Sequence, residues 1–522
     1  MERVAPRQVN YDNILPLAIE SRSNRREFLP VNGQSFSNTT GATICRIDVN
    51  ADSMLDATHS YLECALQNDN TTADNRLSPN PFCPSWIQRL RIESGGVVIE
   101  DINEYSRLYA MLVLQQCPES YIKNNLSNQG LYRHLPSGNL KPQTTAPADS
   151  ENVERFMPTN GATSGPAGAA SSANCQTDCN VMPIDEIMYS MSAQGLMRGT
   201  RIDTELGRSG AAALNQPNAG GLLIQDYMRI QSTGRRVQCF PLVSGFLNMD
   251  KYIPLIMMNA GFTIELTLCD ANRIGLTQVE AANTNAGAFI NSVWSVNSIK
   301  YVAHLIDLDR SFYDTLRQVM EGSGGVLQLA GQTYRHFVGD MANNTGPHTI
   351  TLPARVKSVK SIFGTFIDST DMGSASKYDT SVFQHAFLSK YRFEIGSVRY
   401  PQTDVTASNV ENEVELQKAW GRLGDYNHQQ AYSNKHTQNA EGERDGAHYS
   451  RALLSAYTIG YDFEAFQRVA LEAGINTADR SLPINFIAER SAATTNSTRA
   501  DFFVLCDAIY YINLDGTVSV SI

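Results

Sequence analysis

Few residues of this sequence stand at the spacings that known chemistry requires. A Gly-x-x-x-x-Gly-Lys-Ser/Thr phosphate loop, a Gly-x-Gly-x-x-Gly fingerprint, a Gly-x-Ser-x-Gly elbow and a His-Glu-x-x-His zinc motif are all absent from the 522 residues. Cys175 and Cys179 have the spacing of half a zinc site, but no second Cys or His pair stands near them. We therefore predict two free cysteines here, and no catalytic, cofactor-binding or metal-binding residue in the chain.

The histidines and two aspartates give the same result. The nine histidines fall singly, and His428 and His436 lie among Asn, Gln and Ser, a composition typical of a solvated loop. A catalytic histidine whose partners meet it only in space is the less favoured alternative. Asp307 and Asp309 could hold a cation, but a helix that begins at Arg310 needs a cap at this place, so we predict capping.

Basic residues are densest at Arg22, Arg25-Arg26 and Arg235-Arg236. The chain as a whole has a formal net charge of -11, which repels phosphate backbones. We therefore expect these arginines on solvated faces or in salt bridges between subunits, with DNA contact as the less favoured alternative. No sequence-specific binding of nucleic acid is expected.

Hydrophobic residues recur mainly with a period of two. In residues 262–268 every second residue is apolar, and the same alternation runs through residues 90–93, 391–395 and 518–522. Turn residues such as Gly95-Gly96 separate segments of this kind. The pattern predicts an all-β chain of short antiparallel strands that form sandwiches, with one face of each strand on a core and the other toward water.

This alternation assigns roles to two glutamates and two aromatic residues. Glu265 and Glu394 stand on the polar side of their strands, where an exposed carboxylate is ordinary. A β-sandwich glycoside hydrolase would need two carboxylates across a cleft, and these two are candidates for it. Tyr391 and Phe393 alternate with basic residues, and we expect them in a core rather than on a base-stacking surface.

Three helices are predicted. In the first, Asp101 caps an amphipathic helix with Glu104 three positions on, and its apolar face consists of Tyr105, Leu108, Tyr109 and Leu112. The second runs from about Arg310 to Glu321, and its apolar stripe consists of Phe312, Leu316, Val319 and Met320. A third, weaker helix spans about residues 409–420.

Composition divides the chain. Residues 1–35 show no period and are predicted to be an extended N-terminal arm. Residues 36–309 form the first predicted sandwich, which carries a surface excursion rich in Pro, Gly, Ala, Ser and Thr at about 141–221. Residues 310–325 are predicted to be a linker helix with a glycine-rich joint, and residues 326–522 the second sandwich.

The two predicted sandwiches are related by an approximate internal repeat. Residues 90–96 (Leu-Arg-Ile-Glu-Ser-Gly-Gly) correspond to residues 391–397 (Tyr-Arg-Phe-Glu-Ile-Gly-Ser), and a helical segment follows each. Both halves also close on a hydrophobic strand that ends in Leu-Asp, at Asp309 and Asp515. Several elements in one order predict two copies of one β-sandwich.

Three further segments, together with this repeat, resemble double jelly-roll major capsid proteins. They are residues 246–255 (Phe-Leu-Asn-Met-Asp-Lys-Tyr-Ile-Pro-Leu), 474–477 (Gly-Ile-Asn-Thr) and 510–518 (Tyr-Tyr-Ile-Asn-Leu-Asp-Gly-Thr-Val). The chain looks similar to the capsid proteins of Polinton-like viruses and virophages, relatives of the larger icosahedral double-stranded DNA viruses. The resemblance covers roughly residues 40–522, with little recognisable similarity within 141–220. It implies two tandem eight-stranded antiparallel jelly-roll sandwiches with a few short helices in loops.

The resemblance also implies a structural function without enzyme activity. Three copies would form a homotrimeric, pseudo-hexameric capsomer that contacts neighbouring capsomers, pentons and minor capsid proteins in the virion. The chain would be made and assembled inside the host cell. Its N-terminal arm would run beneath the capsomer or reach minor proteins, an inner membrane or membrane-associated proteins, and a disordered tail is the alternative.

Two other functions stay open from the residues themselves. A secreted or surface carbohydrate-binding or adhesion protein would show a signal peptide and paired cysteines. The first residues lack the apolar core of such a signal, and the nine cysteines follow no repeating frame, so we expect free, mostly buried thiols in a reducing compartment. No stretch approaches 18 uncharged apolar residues, so we expect a soluble chain. The glycoside hydrolase is the less favoured of the two.

Overall fold

The computed structural model gives the positions of most of the chain. It describes residues 20–37, 39, 43–72, 75–118, 121–126, 129–131, 230, 232–249, 251–279, 289–322, 324–375, 378–381, 383–407, 409–425, 457–465, 473–479 and 482–522. The excursion predicted at 141–221 lies outside these residues, as do Cys175, Cys179, His134, His428, His436 and His448.

Strands dominate the first half of the described chain. They are β1 (Ser21–Phe28), β2 (Ser35–Ser37), β3 (Ile44–Val49), β4 (Met54–Asn68), β5 (Asn75–Pro79), β6 (Ile87–Ser94), β7 (Val97–Asn103), β8 (Arg235–Phe240), β9 (Ile253–Pro254), β10 (Phe262–Leu268), β11 (Gly275–Val279), β12 (Phe289–Ile290) and β13 (Trp294–Leu308). One antiparallel sheet has the order β1-β13-β4-β8, extended by β2 and β9, and the facing sheet has the order β3-β10-β6-β7. A small third sheet has the order β12-β11-β5.

The second half repeats this topology. Its strands are β14 (Val326–Met341), β15 (Gly346–Leu352), β16 (Val359–Asp368), β17 (Leu388–Ile395), β18 (Val398–Thr406), β19 (Thr458–Asp462), β20 (Ile484–Arg490), β21 (Thr498–Asn513) and β22 (Val518–Ser521). The sheets have the orders β14-β21-β16-β19 and β15-β20-β17-β18, and β22 extends the first. If the main strands of each half are counted from one to eight, both halves have sheets ordered 1-8-3-6 and 2-7-4-5. This is the jelly-roll order, so the predicted fold class is confirmed.

Three α-helices connect or flank these strands in the described part of the chain. They are α1 (Tyr105–Gln116), α2 (Arg310–Gly322) and α3 (Asn409–Ala419). Short turns of π-helix at Tyr121–Leu126 and of 3-10 helix at Leu255–Met257 and Ala271–Ile274 add to them. Helices α1 and α3 each follow the fifth strand of their jelly roll, which confirms the helical position in the predicted repeat.

The strands that carry the predicted repeat also take equivalent places. Residues 90–96 include the end of β6 and residues 391–397 the end of β17, and each of these strands is the fourth of its jelly roll. The last strand in each half, β13 or β21, is the eighth. Ile253 and Ile475 are equivalent as well, because each bridges the start of the third strand in its half.

Burial explains why β16 lacks the alternation seen elsewhere. All its residues from Val359 to Ile367 are buried, because this central strand has a core on both faces. Ile362 and Phe366 belong to the core of the second jelly roll, whereas Phe363 belongs to the core that continues from the first. The two jelly rolls therefore share a buried boundary along this sheet.

Four sequence predictions need correction. The predicted cap Asp101 lies within β7, where its carboxylate accepts a hydrogen bond from Nε of Arg89 at 2.7 Å. Residue Glu104 caps α1 instead, in a left-handed conformation with φ 52° and no side-chain cap hydrogen bond. Strand β1 shows that residues 21–28, predicted to belong to an extended arm, pair with β13. Val319, predicted on the apolar stripe of α2, is 56% exposed.

The fourth correction concerns Glu265, which was expected to be exposed. Its side chain is only 5% exposed and accepts a hydrogen bond from Nε of Arg46 at 2.8 Å. Nη1 of Arg91 lies 3.8 Å from its other carboxylate oxygen. Glu394 is 24% exposed and pairs with Arg392 and Arg399. Each carboxylate is thus neutralised by arginines on its own sheet or the adjacent strand. Sheet pairing brought these arginines close, and alternation alone could not show it.

Candidate functional site

The candidate site is the seam, which we define as the contact of β7, α1 and the 241–249 loop of the first jelly roll with β14, β16, β21 and β22 of the second. Strand β7 lies against β14 and β22. The ring of Phe246 meets that of Tyr510 edge-on, with centroids 5.2 Å apart. Phe363, Phe503 and Tyr510 of the second jelly roll belong to one buried cluster with the core of the first. The seam therefore excludes water along the middle of the contact.

Glycines let the two backbones touch at the centre of the seam. A Cβ at Gly245 would lie 1.5 Å from the carbonyl oxygen of Gln332. At Gly331, a Cβ would lie 2.9 Å from the Tyr510 ring and 3.2 Å from the carbonyl oxygen of Gly245. The φ angle of Gly245 is not positive, so close approach rather than backbone conformation requires glycine there.

A second part of the seam is a buried cluster of three arginines, three carboxylates and one histidine. Its members from the first jelly roll are Glu104, Arg107 and Arg273, and those from the second are His336, Asp379, Arg499 and Asp501. Both guanidinium ends of Arg273 reach Glu104, at 2.6 and 3.1 Å, and its Nε donates to Asp379 at 3.0 Å. Equal numbers of guanidinium and carboxylate groups leave the cluster without excess charge when the histidine is neutral.

Asp501 is the centre of this cluster. Its side chain is fully buried and lies 3.2 Å from Nη1 of Arg107, which is also fully buried. It is 2.8 Å from Nε2 of His336 and 2.8 Å from Nη2 of Arg499. Burial by itself would raise the pKa of Asp501, but the charges of Arg107 and Arg499 and the contact with His336 hold it well below its usual range. Asp501 is therefore ionised in the folded protein at neutral pH.

The pKa values of Glu104 and Arg273 are set by the same balance between burial and opposite charge. Burial would raise the pKa of Glu104, but Arg273 lowers it. Burial would lower the pKa of Arg273, yet Asp379 and Glu104 hold it well above its ordinary value. Arg107 also donates to the backbone carbonyl of Asp379, across the seam. Removal of one partner would leave a buried charge without compensation.

Glu100 makes a third seam contact, and its pKa is shifted in the opposite direction from that of Asp501. It is buried and accepts hydrogen bonds from Ser244 Oγ, from the Gly245 backbone N–H at 2.9 Å and from Thr333 Oγ1 of the second jelly roll at 2.6 Å. Burial raises its pKa above the ordinary value, although these hydrogen bonds act against the rise. At the far end, Asn259 Nδ2 donates to the Asp515 carbonyl and Asn259 N–H to that of Gly516.

Most of the residues chosen from the sequence lie away from the seam. Asp309 accepts hydrogen bonds from the hydroxyl and the backbone N–H of Ser311 at the start of α2, as the capping prediction requires. Asp307 accepts a hydrogen bond from Asn24 Nδ2 at 2.9 Å. Arg22, Arg25 and Arg26 lie on β1, and Arg235 and Arg236 on β8. Among the described histidines, the rings of His59 and His304 lie 6.0 Å apart, and only His336 reaches the seam cluster.

The charged residues of the seam were not chosen from the sequence, apart from Glu104, which was named only for a capping box. A signal was present, because Arg107 stands in the mostly apolar sequence of α1, opposite its predicted apolar face, and Asp501 precedes Phe502-Phe503 in a hydrophobic strand. A charged residue inside an apolar run indicates a buried partner. Arg107 lies 272 residues from Asp379, and Glu104 lies 395 residues from Arg499, so the sequence could not name these partners.

Other chemistry was searched in the described residues. In that part of the chain no group of three His, Cys, Asp or Glu side chains gathers at a distance suitable for a metal ion. None of its helices is both long and apolar enough to cross a membrane. A cavity of about 750 Å³ opens beside the seam, lined by side chains that include Tyr109, Tyr121, Tyr334, Lys360 and Asp507. Seven described cysteines are free, and burial raises the pKa of Cys45 to about 12.

The fold is that of a double jelly-roll protein, and solved structures with this arrangement are found. VP54 of PBCV-1, a crystal structure fitted into a cryo-EM reconstruction of the virophage Sputnik, is 8% identical over 98% of this chain and 99% of its own, with a TM-score of 0.51. A chain of the cryo-EM structure of the Sputnik virophage is 9% identical over 100% of this chain and 93% of its own, with a TM-score of 0.50. A quasi-atomic model of the PBCV-1 virus capsid gives 8% identity, 98% and 99% coverage and a TM-score of 0.51.

No protein-family model matches the chain, and no curated protein matches it in sequence. At identities near 8% the likeness concerns the fold. The double jelly-roll architecture implied by the sequence resemblance is thereby confirmed.

The charge cluster gives a first prediction. Asp501→Asn leaves Arg107 buried without its carboxylate, so we expect a loss of about 3–5 kcal/mol in the free energy of unfolding at pH 7. The matched control Asp101→Asn breaks a half-exposed pair and should cost less than about 1 kcal/mol. Because the folded pKa of Asp501 is lowered, its contribution is present above about pH 4 and declines as the pH falls. Urea unfolding at several pH values measures this, and equal losses in the two variants would contradict it.

The backbone contact gives a second prediction. Gly245→Ala places a methyl group against the Gln332 carbonyl and should lower the thermal unfolding midpoint by several degrees, since the seam has to open. Gly322→Ala, at the end of α2 with nothing within 4 Å, is the matched control and should leave the midpoint unchanged or slightly raised. Differential scanning calorimetry distinguishes them, and an unchanged midpoint in Gly245→Ala would show that the backbones do not touch.

Glu100 gives a third prediction. Because its pKa is raised on folding, wild-type stability from this group is present at low pH and declines as the pH rises through the folded pKa. Glu100→Gln cannot ionise, so its stability relative to the wild type should rise as the pH increases above about 4.5, the ordinary range of a glutamate. Thermal unfolding across this range checks the slope. A constant difference would mean that Glu100 keeps an ordinary pKa in the fold.

Proposed function

We propose that this chain is a structural capsid protein, three copies of which form a pseudo-hexameric capsomer of an icosahedral double-stranded DNA virus. The observation that carries the proposal is the seam, which joins two jelly rolls of the same topology side by side. A ring of three such chains places six jelly rolls around a three-fold axis and has an approximately hexagonal outline. Hexagons tile a closed shell when pentons fill the five-fold vertices.

The similar structures support this proposal. The PBCV-1 structure is described as a virus capsid, and VP54 was fitted into a reconstruction of a virophage particle. In both comparisons nearly the whole of this chain is matched to nearly the whole of the other, so the likeness includes both jelly rolls and their arrangement. A protein with a single β-sandwich would match only half of this chain.

The proposed partners follow from the same assembly. They are the two other subunits, neighbouring capsomers, pentons and minor capsid proteins, and the proposed location is the virion. The chain is low in charge, 18% of its residues, and such a surface favours many weak polar contacts between capsomers over repulsion. Contact of the N-terminal arm with an inner membrane or a membrane-associated protein belongs to the same proposal.

The proposed units keep the limits drawn from composition with one change. The first unit runs from 36 to 309 and gains residues 21–28 through β1, and the second runs from 326 to 522. The segment 310–325 joins them. We propose that the excursion at 141–221 lies on the outer face of the capsomer or clasps a neighbouring subunit, since an antiparallel sandwich tolerates long connections at its ends without disturbing its core.

The alternatives receive less support from the geometry. A glycoside hydrolase would place two carboxylates across an open cleft, whereas Glu265 and Glu394 lie on different jelly rolls and each pairs with arginines. The carboxylates that do gather, at the seam, are buried against guanidinium groups. A non-enzymatic role is therefore the proposal.

The mass in solution tests the proposal. Size-exclusion chromatography with light scattering should give a species of three times 57.5 kDa, and negative-stain images of it should show a hexagonal outline. A persistent monomer at micromolar concentration would favour the carbohydrate-binding or hydrolase alternative. Asp101→Asn serves as a folded control, because its change is confined to a surface pair.

A further inference from the structure

A buried lysine lies between two buried carboxylates beside the cavity at the seam. Nζ of Lys360 is 2.7 Å from Oε1 of Glu464 and 3.5 Å from Oδ1 of Asp507. The side chains of the lysine, the glutamate and the aspartate are only 8%, 9% and 3% exposed. These residue types are seldom buried to this extent, and the three are separate from the arginine cluster described above. The group therefore needs an explanation of its own.

Strand pairing in the second jelly roll brings these side chains together. Lys360 lies in β16, and Asp507 lies in the neighbouring strand β21. The register between the two strands shifts between Val359 and Ser361, so Lys360 occupies a β-bulge, a feature that re-aims a side chain. Glu464 follows the end of β19, which pairs with the other edge of β16. The lysine is thus held between carboxylates that come from both sides of its strand.

A hydrogen bond orients the carboxyl group of Asp507. Ser358 Oγ donates to Oδ2 of Asp507 at 2.7 Å and itself accepts a hydrogen bond from the Gly474 backbone N–H at 3.1 Å. Oδ1 is the oxygen that lies 3.5 Å from Nζ of Lys360. A hydroxyl that donates to one oxygen of a carboxyl group also stabilises negative charge that develops on that oxygen during a reaction.

The arrangement has the parts needed to form an amide between lysine and aspartate. Nζ of Lys360 lies 3.5 Å from Oδ1 of Asp507, an atom bonded to the carbon that the amine would attack. Productive reactions start with the reacting atoms about 3–3.5 Å apart, so the two groups stand close to this geometry. A carboxylate beside the amine can act first as general base and then as general acid. Burial disfavours a charged pair relative to a neutral amide.

We propose that Lys360 and Asp507 form an intramolecular isopeptide bond, with Glu464 as the proton carrier. Glu464 takes a proton from the Nζ ammonium, and the free amine attacks Cγ of Asp507. The Nζ–Cγ bond forms, and the Cγ–Oδ1 bond breaks as Oδ1 leaves in a water molecule. Nζ loses two protons, and Glu464 passes both to Oδ1. One ammonium and one carboxylate thus give one amide and one water, and Glu464 returns to its starting state.

The surroundings suit both products of this condensation. Oδ2 of Asp507 becomes the amide oxygen and keeps its hydrogen bond from Ser358. The cavity of about 750 Å³ is lined by Lys360 and Asp507, so the released water has a way out. No oxidant, metal or cofactor takes part in the step.

The bond links the third and the eighth strand of the second jelly roll. These are β16 and β21, which lie next to each other in the sheet that forms the seam. The loop that the bond closes contains most of this jelly roll, and a cross-link that closes a long loop stabilises mainly by restricting the unfolded chain. The inference concerns one chain, so it does not depend on how many copies assemble.

The mass of the denatured full-length protein tests the bond. The wild type should be lighter than its sequence mass by one water molecule. Lys360→Arg and Asp507→Ala cannot form the bond, and Glu464→Gln lacks the proton carrier, so each should keep its full sequence mass. The matched controls are Lys357→Arg and Glu489→Gln, which change the same residue types at exposed positions of the same jelly roll. Both controls should show the loss of one water molecule.

Peptide mapping locates the loss and decides the question without any variant. A protease digest of the wild type should contain a branched peptide that joins the segments around Lys360 and Asp507. Ser358→Ala keeps the three reacting groups and should form the bond about 10-fold more slowly, and circular dichroism shows that it folds. Equal masses of the wild type and Lys360→Arg after correction for the substitution, or a digest with Lys360 and Asp507 in separate peptides, would overturn the proposal.

Discussion

The buried charge cluster at the seam is the constraint on which the arrangement of the two jelly rolls depends. Asp501 is fully buried and is stable as an anion because Arg107 and Arg499 stand 3.2 and 2.8 Å from it. Arg107 comes from the first jelly roll and Asp501 from the second. Any rotation of one jelly roll against the other would separate them, so the cluster fixes an angle that apolar contact alone would leave loose.

The apolar contact and the glycines act together with this cluster. Phe246 and Tyr510 supply area, and Gly245 lets the backbones approach until the Gln332 carbonyl lies against it. Apolar burial is non-directional and provides most of the free energy, while the charges and the close backbone approach specify the geometry. A chain whose two halves hold one fixed angle is suited to a ring of defined size.

The internal repeat gives the two jelly rolls one topology, yet equivalent positions carry different residues. Thr458, at the start of the sixth strand of the second jelly roll, is buried, whereas Arg235, at the start of the sixth strand of the first, is exposed. The covalent link between the two jelly rolls lowers the entropic cost of their association, so the apolar residues of the seam meet within one chain.

Local patterns determined the strands, the helices after the fifth strands and the twofold repeat, because a period of two and the order of turn residues depend only on neighbours in the chain. They also misled at Glu265 and Asp101, where the residues judged to be exposed or capping are engaged by arginines on paired strands. The seam was decided by tertiary structure alone. Its charged partners are hundreds of residues apart, and only the packing of one jelly roll on the other brings Glu104, Arg107 and Asp501 into one buried cluster.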